Sequence, residues 1–207
     1  MFNSFYDLVY LCILLTGLII LIENRLKRLI FLIAFQGILL VFPIFQVHSI
    51  EEIHSWILVT LVLVFKVVLT AYILLWSIKK TRLKEHTEPR FGYLGTTFLF
   101  LTGISATYLV VNGIGELPKG IDKIEVVYIF LLIYIGILSF IVRTHWIVLI
   151  LGFTVFENGI FLLALVLRHG LPFGVELGAF IDTIMIIFSA VVLRHREFTL
   201  KNPEEFQ

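Results

Sequence analysis

Seven long apolar windows are separated by short polar breaks along this chain. They are Phe5–Ile22, Leu29–Val47, Trp56–Ile78, Phe91–Val111, Val126–Val142, Trp146–Leu167 and Gly174–Leu193. Each is close to the roughly 20 residues that an α-helix needs to cross a bilayer. The breaks read ENRLKR, HSIEEIHS, KKTRLKEHTEPR, a Gly/Pro-containing NGIGELPKGIDKIE, RTH and RHGLPF. Only Arg143-Thr144-His145 divides the fifth and sixth windows, which predicts a tight helical hairpin. The pattern predicts an all-α polytopic membrane protein of about seven transmembrane helices in one integral membrane domain. Residues 1–80 form a first three-helix part, 91–111 a connecting helix, and 126–193 a second three-helix part.

Composition agrees with the windows. Hydrophobic residues are 59% of the 207 and charged residues 15%, against about 45–50% and 25% in a soluble domain. Mean hydropathy is +1.03. Twelve basic residues, Arg25, Lys27, Arg28, Lys79, Lys80, Arg82, Lys84, Arg90, Arg143, Arg194, Arg196 and Lys201, fall on one side of a seven-span topology. Three fall on the other: Lys119, Lys123 and Arg168. Basic residues collect in cytoplasmic loops, so the expectation is an N-terminus outside and a C-terminus in the cytoplasm. MFNSFYD lacks the basic start of a signal peptide, so the first window reads as a retained span. A net charge of +1 and no basic stripe with interleaved aromatics leave nucleic acid without a footprint. The lone Cys12 provides no disulfide, CxxC or iron–sulfur pattern.

The informative residues are those that break the apolar pattern. Glu157 is the single ionisable residue between Trp146 and Leu167, near the middle of its window. Lys66 lies at similar depth in Trp56–Ile78, and Asp182 in the middle third of the last window. A charge at the bilayer centre costs about 2.5–3.5 kcal/mol on insertion scales, and such groups usually mark ion paths or proton relays. Burial disfavours the charged form of any ionisable group while a nearby opposite charge restores it, so a small change in surroundings can move a proton. The competing reading is a static staple in which Lys66 pins helices together through Glu157 or Asp182. Two carboxyls and one amine do not balance, however, and a pure staple has no need of the extra acid. Glu176, nearer the interface, is a candidate entry to such a relay.

Gln36, Asn158, Thr154, Thr183 and Ser189 are supporting polar positions. Such residues more often act as packing glue worth roughly 0.6 kcal/mol per contact. Thr154, three residues before Glu157, shares its face and could hydrogen-bond the carboxyl. Gln36-Gly37-Ile38-Leu39-Leu40 echoes Asn158-Gly159-Ile160-Phe161-Leu162, each early in the second helix of its trio. None of the six histidines lies deep within a window, which argues against membrane haem. No metal spacing, phosphate loop or Ser/His/Asp set is apparent, so the expectation is a chain without catalytic apparatus or cofactor of its own.

The stretch Ile150–Ala164, ILGFTVFENGIFLLA, resembles the E component of hydrogenase-4-type complexes, and Gly170–Asp182, GLPFGVELGAFID, fits as well. That family is similar to the small three-helix K subunit of respiratory complex I and to the C subunit of multisubunit cation/proton antiporters. The resemblance to those smaller subunits covers 126–193. It implies a non-catalytic subunit of a redox-driven proton- or sodium-translocating complex, formate hydrogenlyase-like or complex I-like, in the inner (cytoplasmic) membrane. Its partners would be larger antiporter-like membrane subunits and a peripheral hydrogenase-like arm carrying the NiFe and iron–sulfur chemistry. Glu157 would match the family's first intramembrane glutamate. Asp182 takes roughly the place of the second, as Asp and at a shorter spacing. The alternatives are a structural packing subunit whose charges are staples, and a stand-alone transporter; no pair of short Gly/Pro-broken spans in matching halves supports the latter.

Overall fold

A computed structural model describes residues 2–47, 53–81, 88–115, 117 and 121–167. Among these there is no β-strand. The elements are α1 (Phe2–Ile22), α2 (Leu26–Leu39), α3 (Val41–Val47), α4 (Ile53–Leu61), a π-helical stretch (Val62–Leu69), α5 (Thr70–Thr81), α6 (Gly92–Gly113), α7 (Lys123–Val142) and α8 (Trp146–Val166). They form six segments long and apolar enough to cross a membrane: Phe5–Ile22, Leu26–Val47, Ser55–Trp76, Gly92–Gly113, Lys123–Val142 and Trp146–Val166. The seventh window, with Glu176, Asp182, Thr183 and Ser189, lies outside the described residues.

Two of the six segments are not the uniform helices that their hydropathy predicts. The second is interrupted at Leu40, between α2 and α3. Pro43 has no N–H with which to bond the Leu39 carbonyl one turn earlier, so the α-helical ladder lapses there. The third passes through eight consecutive π-helical residues, with Lys66 among them. The Phe65 carbonyl accepts from the Thr70 backbone N–H and, at 2.9 Å, from the Thr70 hydroxyl. Long π-helical runs are rare; where the geometry occurs it is usually a single widened turn, frequently at a functional site.

Packing is tightest between α7 and α8. A Cβ on Gly159 would fall 2.6 Å from Ile133 Cγ1 and 3.0 Å from the Ile133 nitrogen, and one on Gly136 would run into the Phe156 backbone. Both positions must therefore lack a side chain for the two backbones to approach so closely. This contact sets Phe156–Gly159 of α8 level with Ile133–Gly136 of α7. Among the described elements, α6 docks mainly on α7, where the Tyr134 hydroxyl donates to the Leu99 carbonyl at 2.8 Å.

The ends of α1 and α7 are tied by a buried cation. Arg143 is 2% exposed and donates to the main-chain oxygens of Leu21 (2.6 Å) and Glu23 (2.9 Å) and to Asn24 Oδ1 (3.0 Å). The last carbonyls of a helix have no partner within it and carry its negative dipole end; the guanidinium satisfies both needs for α1. This contact makes α1 and α7 run in the same sense. The Arg90 N–H bonds the Val142 carbonyl at 2.7 Å, so Arg90 and Arg143 lie at the bundle end that also carries Arg25, Lys27 and Arg28.

Candidate functional site

Four of the polar residues within the hydropathy windows, Lys66, Glu157, Asn158 and Gln36, meet in the interior of the bundle. Lys66 Nζ forms an ion pair with Glu157 Oε1 and donates to Asn158 Oδ1 at 2.9 Å. Asn158 Nδ2 donates to Gln36 Oε1 at 2.9 Å, and Gln36 Nε2 donates to the Ile13 carbonyl at 3.1 Å. The ammonium also sits 5.1 Å from the centre of the Phe161 ring. Glu157, Lys66, Asn158, Gln36 and the Ile13 carbonyl thus form one string across four of the membrane-crossing segments. Lys66, Asn158 and Gln36 are 4%, 1% and 0% exposed.

Depth follows from position in each segment. Lys66 is eleven residues from Ser55 and ten from Trp76; Glu157 is eleven from Trp146 and nine from Val166. Gln36 is ten from Leu26 and eleven from Val47, and Ile13 is eight from Phe5 and nine from Ile22. All four levels coincide with the middle of their segments.

Lys66 also dictates the string's polarity. An ammonium carries only donors, so Asn158 must turn its oxygen toward Nζ and its amide toward Gln36. Gln36 in turn directs its own amide to Ile13. The second carboxylate oxygen of Glu157, Oε2, is buried with no hydrogen-bond partner among the described residues. A buried acceptor left unpaired is costly, more so when charged. That atom is therefore where a proton or a water molecule has most to gain by binding.

Thr154 takes the packing alternative. Its hydroxyl donates to the Ile150 carbonyl one turn back at 3.1 Å, not to Glu157. Back-bonding of this kind is the local option open to any helical threonine, and it places Thr154 in the packing. Glu176 and Asp182 lie outside the described residues, so the pairing of the predicted acids is seen for Glu157 alone. The two residues of the sequence echo, Gln36 and Asn158, prove to be direct hydrogen-bond partners. Among the described residues no group of three or more His, Cys, Asp and Glu could hold a metal ion.

The string is therefore defined by its own geometry. No protein-family model, curated protein or solved structure matches the chain.

Two features escape hydropathy reasoning. One is the Arg143 clamp: the residue reads as an ordinary loop cation between two windows. The other is a polar cluster where α1 and α7 begin. Glu125, 6% exposed, accepts from Gln46 Nε2 at 2.7 Å, and Tyr10 on α1, 1% exposed, is at the same level. Glu125 immediately precedes the apolar window Val126–Val142 and so looks like an interface residue. Its place in the first turn of α7, one residue outside the window, is the signal that could have raised it.

Proposed function

We propose that this chain is a non-catalytic membrane subunit of a redox-driven proton- or sodium-translocating complex, of the hydrogenase-4, formate hydrogenlyase or complex I-like kind. In this reading Glu157 and Asp182 are the proton-carrying carboxyls and Lys66 is the cation that modulates them, with Glu176 at the entry. The observation that carries the proposal is the Lys66–Glu157 pair at mid-depth, with one carboxylate oxygen committed to the ammonium and the other unpartnered among the described residues. A partner elsewhere in the complex that displaced Lys66 would leave Glu157 charged and unpaired, and proton uptake would follow. A conformational step driven by redox chemistry on another subunit has only to favour one of those two arrangements.

The family context is supported by the resemblance of 150–164 to component E, and it brings the larger antiporter-like subunits and the hydrogenase-like arm as partners. The gathering of Arg25, Lys27, Arg28, Arg90 and Arg143 at one end supports an outside N-terminus.

A second reading, a packing subunit with stapled charges, is favoured by one specific observation. The Asn158–Gln36 amide pair is pinned on both sides, by an ammonium that cannot accept and by the Ile13 carbonyl, which cannot donate. Substitution in the intact complex separates the two. Glu157→Gln and Asp182→Asn should lower ion translocation per electron transferred while the complex still assembles. Unchanged translocation in both variants would end the relay reading. Failed assembly with normal translocation by whatever complex remains would favour the staple.

A further inference from the structure

We propose that Tyr10, Gln46 and Glu125 form a hydrated proton-binding site that loads the mid-membrane string from the end of the bundle where α1 and α7 begin. Two buried polar atoms without a hydrogen-bond partner among the described residues mark the site. Gln46 uses its amide on Glu125 at 2.7 Å, which leaves Gln46 Oε1 as an acceptor, and that atom is buried without a partner among the described residues. The Tyr10 hydroxyl is a donor in the same condition. Buried polar groups are almost always paired, by protein or by ordered water. One orphan donor and one orphan acceptor beside a carboxylate are complementary. A water that accepts from Tyr10 and donates to Gln46 or to Glu125 has the two to four polar partners that hold internal water in place.

The residues come from three separate parts of the chain. Tyr10 lies on α1, Gln46 on α3 and Glu125 in the first turn of α7. Side chains on a helix lean toward its N-terminus, so the Tyr10 ring tilts toward the end where Glu125 lies. A Cβ on Gly17 of α1 would fall 2.9 Å from Leu132 Cδ1 of α7; the two helices run in the same sense, so Tyr10, seven residues before Gly17, is level with Glu125, seven residues before Leu132.

The site is also aligned with the string. Glu157 is level with Tyr134 and Ile135 of α7, so Glu125 lies nine or ten residues above it, roughly 15 Å at 1.5 Å per residue. Helix α1 covers the first part of that interval, about 4.5 Å from Tyr10 at the cluster to Ile13, whose carbonyl anchors the string through Gln36; because that carbonyl cannot donate, the proton's path to Glu157 is through water and not through the amides of the string. The step is a proton transfer with no change of oxidation state. Glu125 takes a proton from the aqueous end and passes it to internal water, and Glu157 Oε2 accepts one in turn.

This inference rests on the reading of Glu157 as a proton carrier, and the test separates the two. The purified full chain carrying Lys66→Met, in which Glu157 has lost its ammonium and on this reading takes up a proton, is transferred in phosphatidylcholine vesicles from H2O to D2O and followed by infrared difference spectroscopy in the carboxylic-acid carbonyl region. Bands are assigned by their loss in Glu125→Gln and in Glu157→Gln. Glu125→Gln should slow isotope exchange at the Glu157 band by roughly a hundredfold, the low end of what a positioned proton-transferring group contributes. Tyr10→Phe retains both acids, and it should shift the Glu125 band and slow the Glu157 band as well; it carries the test should Glu125→Gln not fold. Exchange as fast as in Lys66→Met alone, with an intact Glu157 band, overturns the loading step alone. Absence of any Glu157 band overturns the proton-carrier reading, and the loading step with it.

Discussion

Removing Lys66 and removing Glu157 should not be equivalent, and the difference can be worked from the string. In Lys66→Met the ammonium is lost while an unbranched stem remains. Glu157 then has no partner left among the described residues, because Oε1 had the ammonium alone and Oε2 had none. Breaking a buried ion pair from one side costs about 3–5 kcal/mol, since the remaining charge is uncompensated. The idle Asn158 oxygen adds about 0.6 kcal/mol, the typical value of an interhelical hydrogen bond in a membrane. In Glu157→Gln the ammonium keeps Asn158 Oδ1 at 2.9 Å and the Phe161 face at 5.1 Å, and the new amide still offers a carbonyl. The loss should then be about 1.5–3 kcal/mol, that of one hydrogen bond to a charged group.

The double variant removes the orphaned charge altogether and should be more stable than Lys66→Met alone. The interaction energy would lie within the roughly 0.5–3 kcal/mol seen between contacting residues. The measurement is the unfolding equilibrium of the purified chain in bicelles, titrated with a denaturing detergent, for wild type, both single variants and the double. Equal losses in the two single variants, or a double variant whose loss is their sum, would show that Lys66 and Glu157 do not compensate each other and would refute the reasoning.

Two further outcomes follow from the end where Arg143 lies. Arg143→Lys keeps a positive charge but cannot span the Leu21, Glu23 and Asn24 oxygens as the planar fork does; the same titration should show a loss of about 3 kcal/mol, the value of two hydrogen bonds to a charged group, and a near-neutral result would remove Arg143 as the tie between α1 and α7. For Glu23, burial pushes the carboxyl upward, but the Arg25 and Asn24 backbone N–H groups and Arg28 outweigh it and hold the carboxyl below its ordinary 4.5. A lowered folded-state value stabilises above the unfolded value and loses that stabilisation as pH falls through the folded one, so Glu23→Gln should be less stable than wild type above pH 4.5 and converge with it in more acid solution.

How much of this was legible in the amino-acid sequence depends on the range of the interaction responsible. Hydropathy is summed over about twenty residues, so the six segments now described stand out from composition alone. Lys66, Glu157, Gln36 and Asn158 stand out because an apolar window makes any polar residue conspicuous, and mid-window position translates directly into depth. Which of them touch could not be read, because that depends on the rotation of each helix about its axis. Thr154 illustrates the limit: it shares a face with Glu157, yet its hydroxyl is taken by its own helix at Ile150. Glu125 and Arg143 sit just outside windows, where a charge is unremarkable in sequence, and their burial arises only because another helix end closes over them.

The π-helical stretch is the part that sequence was least able to disclose, since VLVFKVVL would read the same in an ordinary α-helix. Its placement has a physical rationale in the string. A Cβ on Gly37 would come 2.9 Å from Val67 Cγ2 and 3.7 Å from Lys66 Cβ, so α2 lies almost against the widened turn that carries Lys66. The lysine stem passes this bare glycine, and its ammonium reaches Asn158 and Glu157 on α8 beyond it. Each i→i+5 bond admits one more residue per turn than the sequence pattern assumes, and so changes the direction in which residue 66 projects. The irregular backbone, the glycine facing it and the buried cation are therefore parts of one arrangement. Returning the stretch to α-helical geometry would rotate Lys66 relative to Glu157, so the pairing that governs the carboxyl is set by the backbone of a different span.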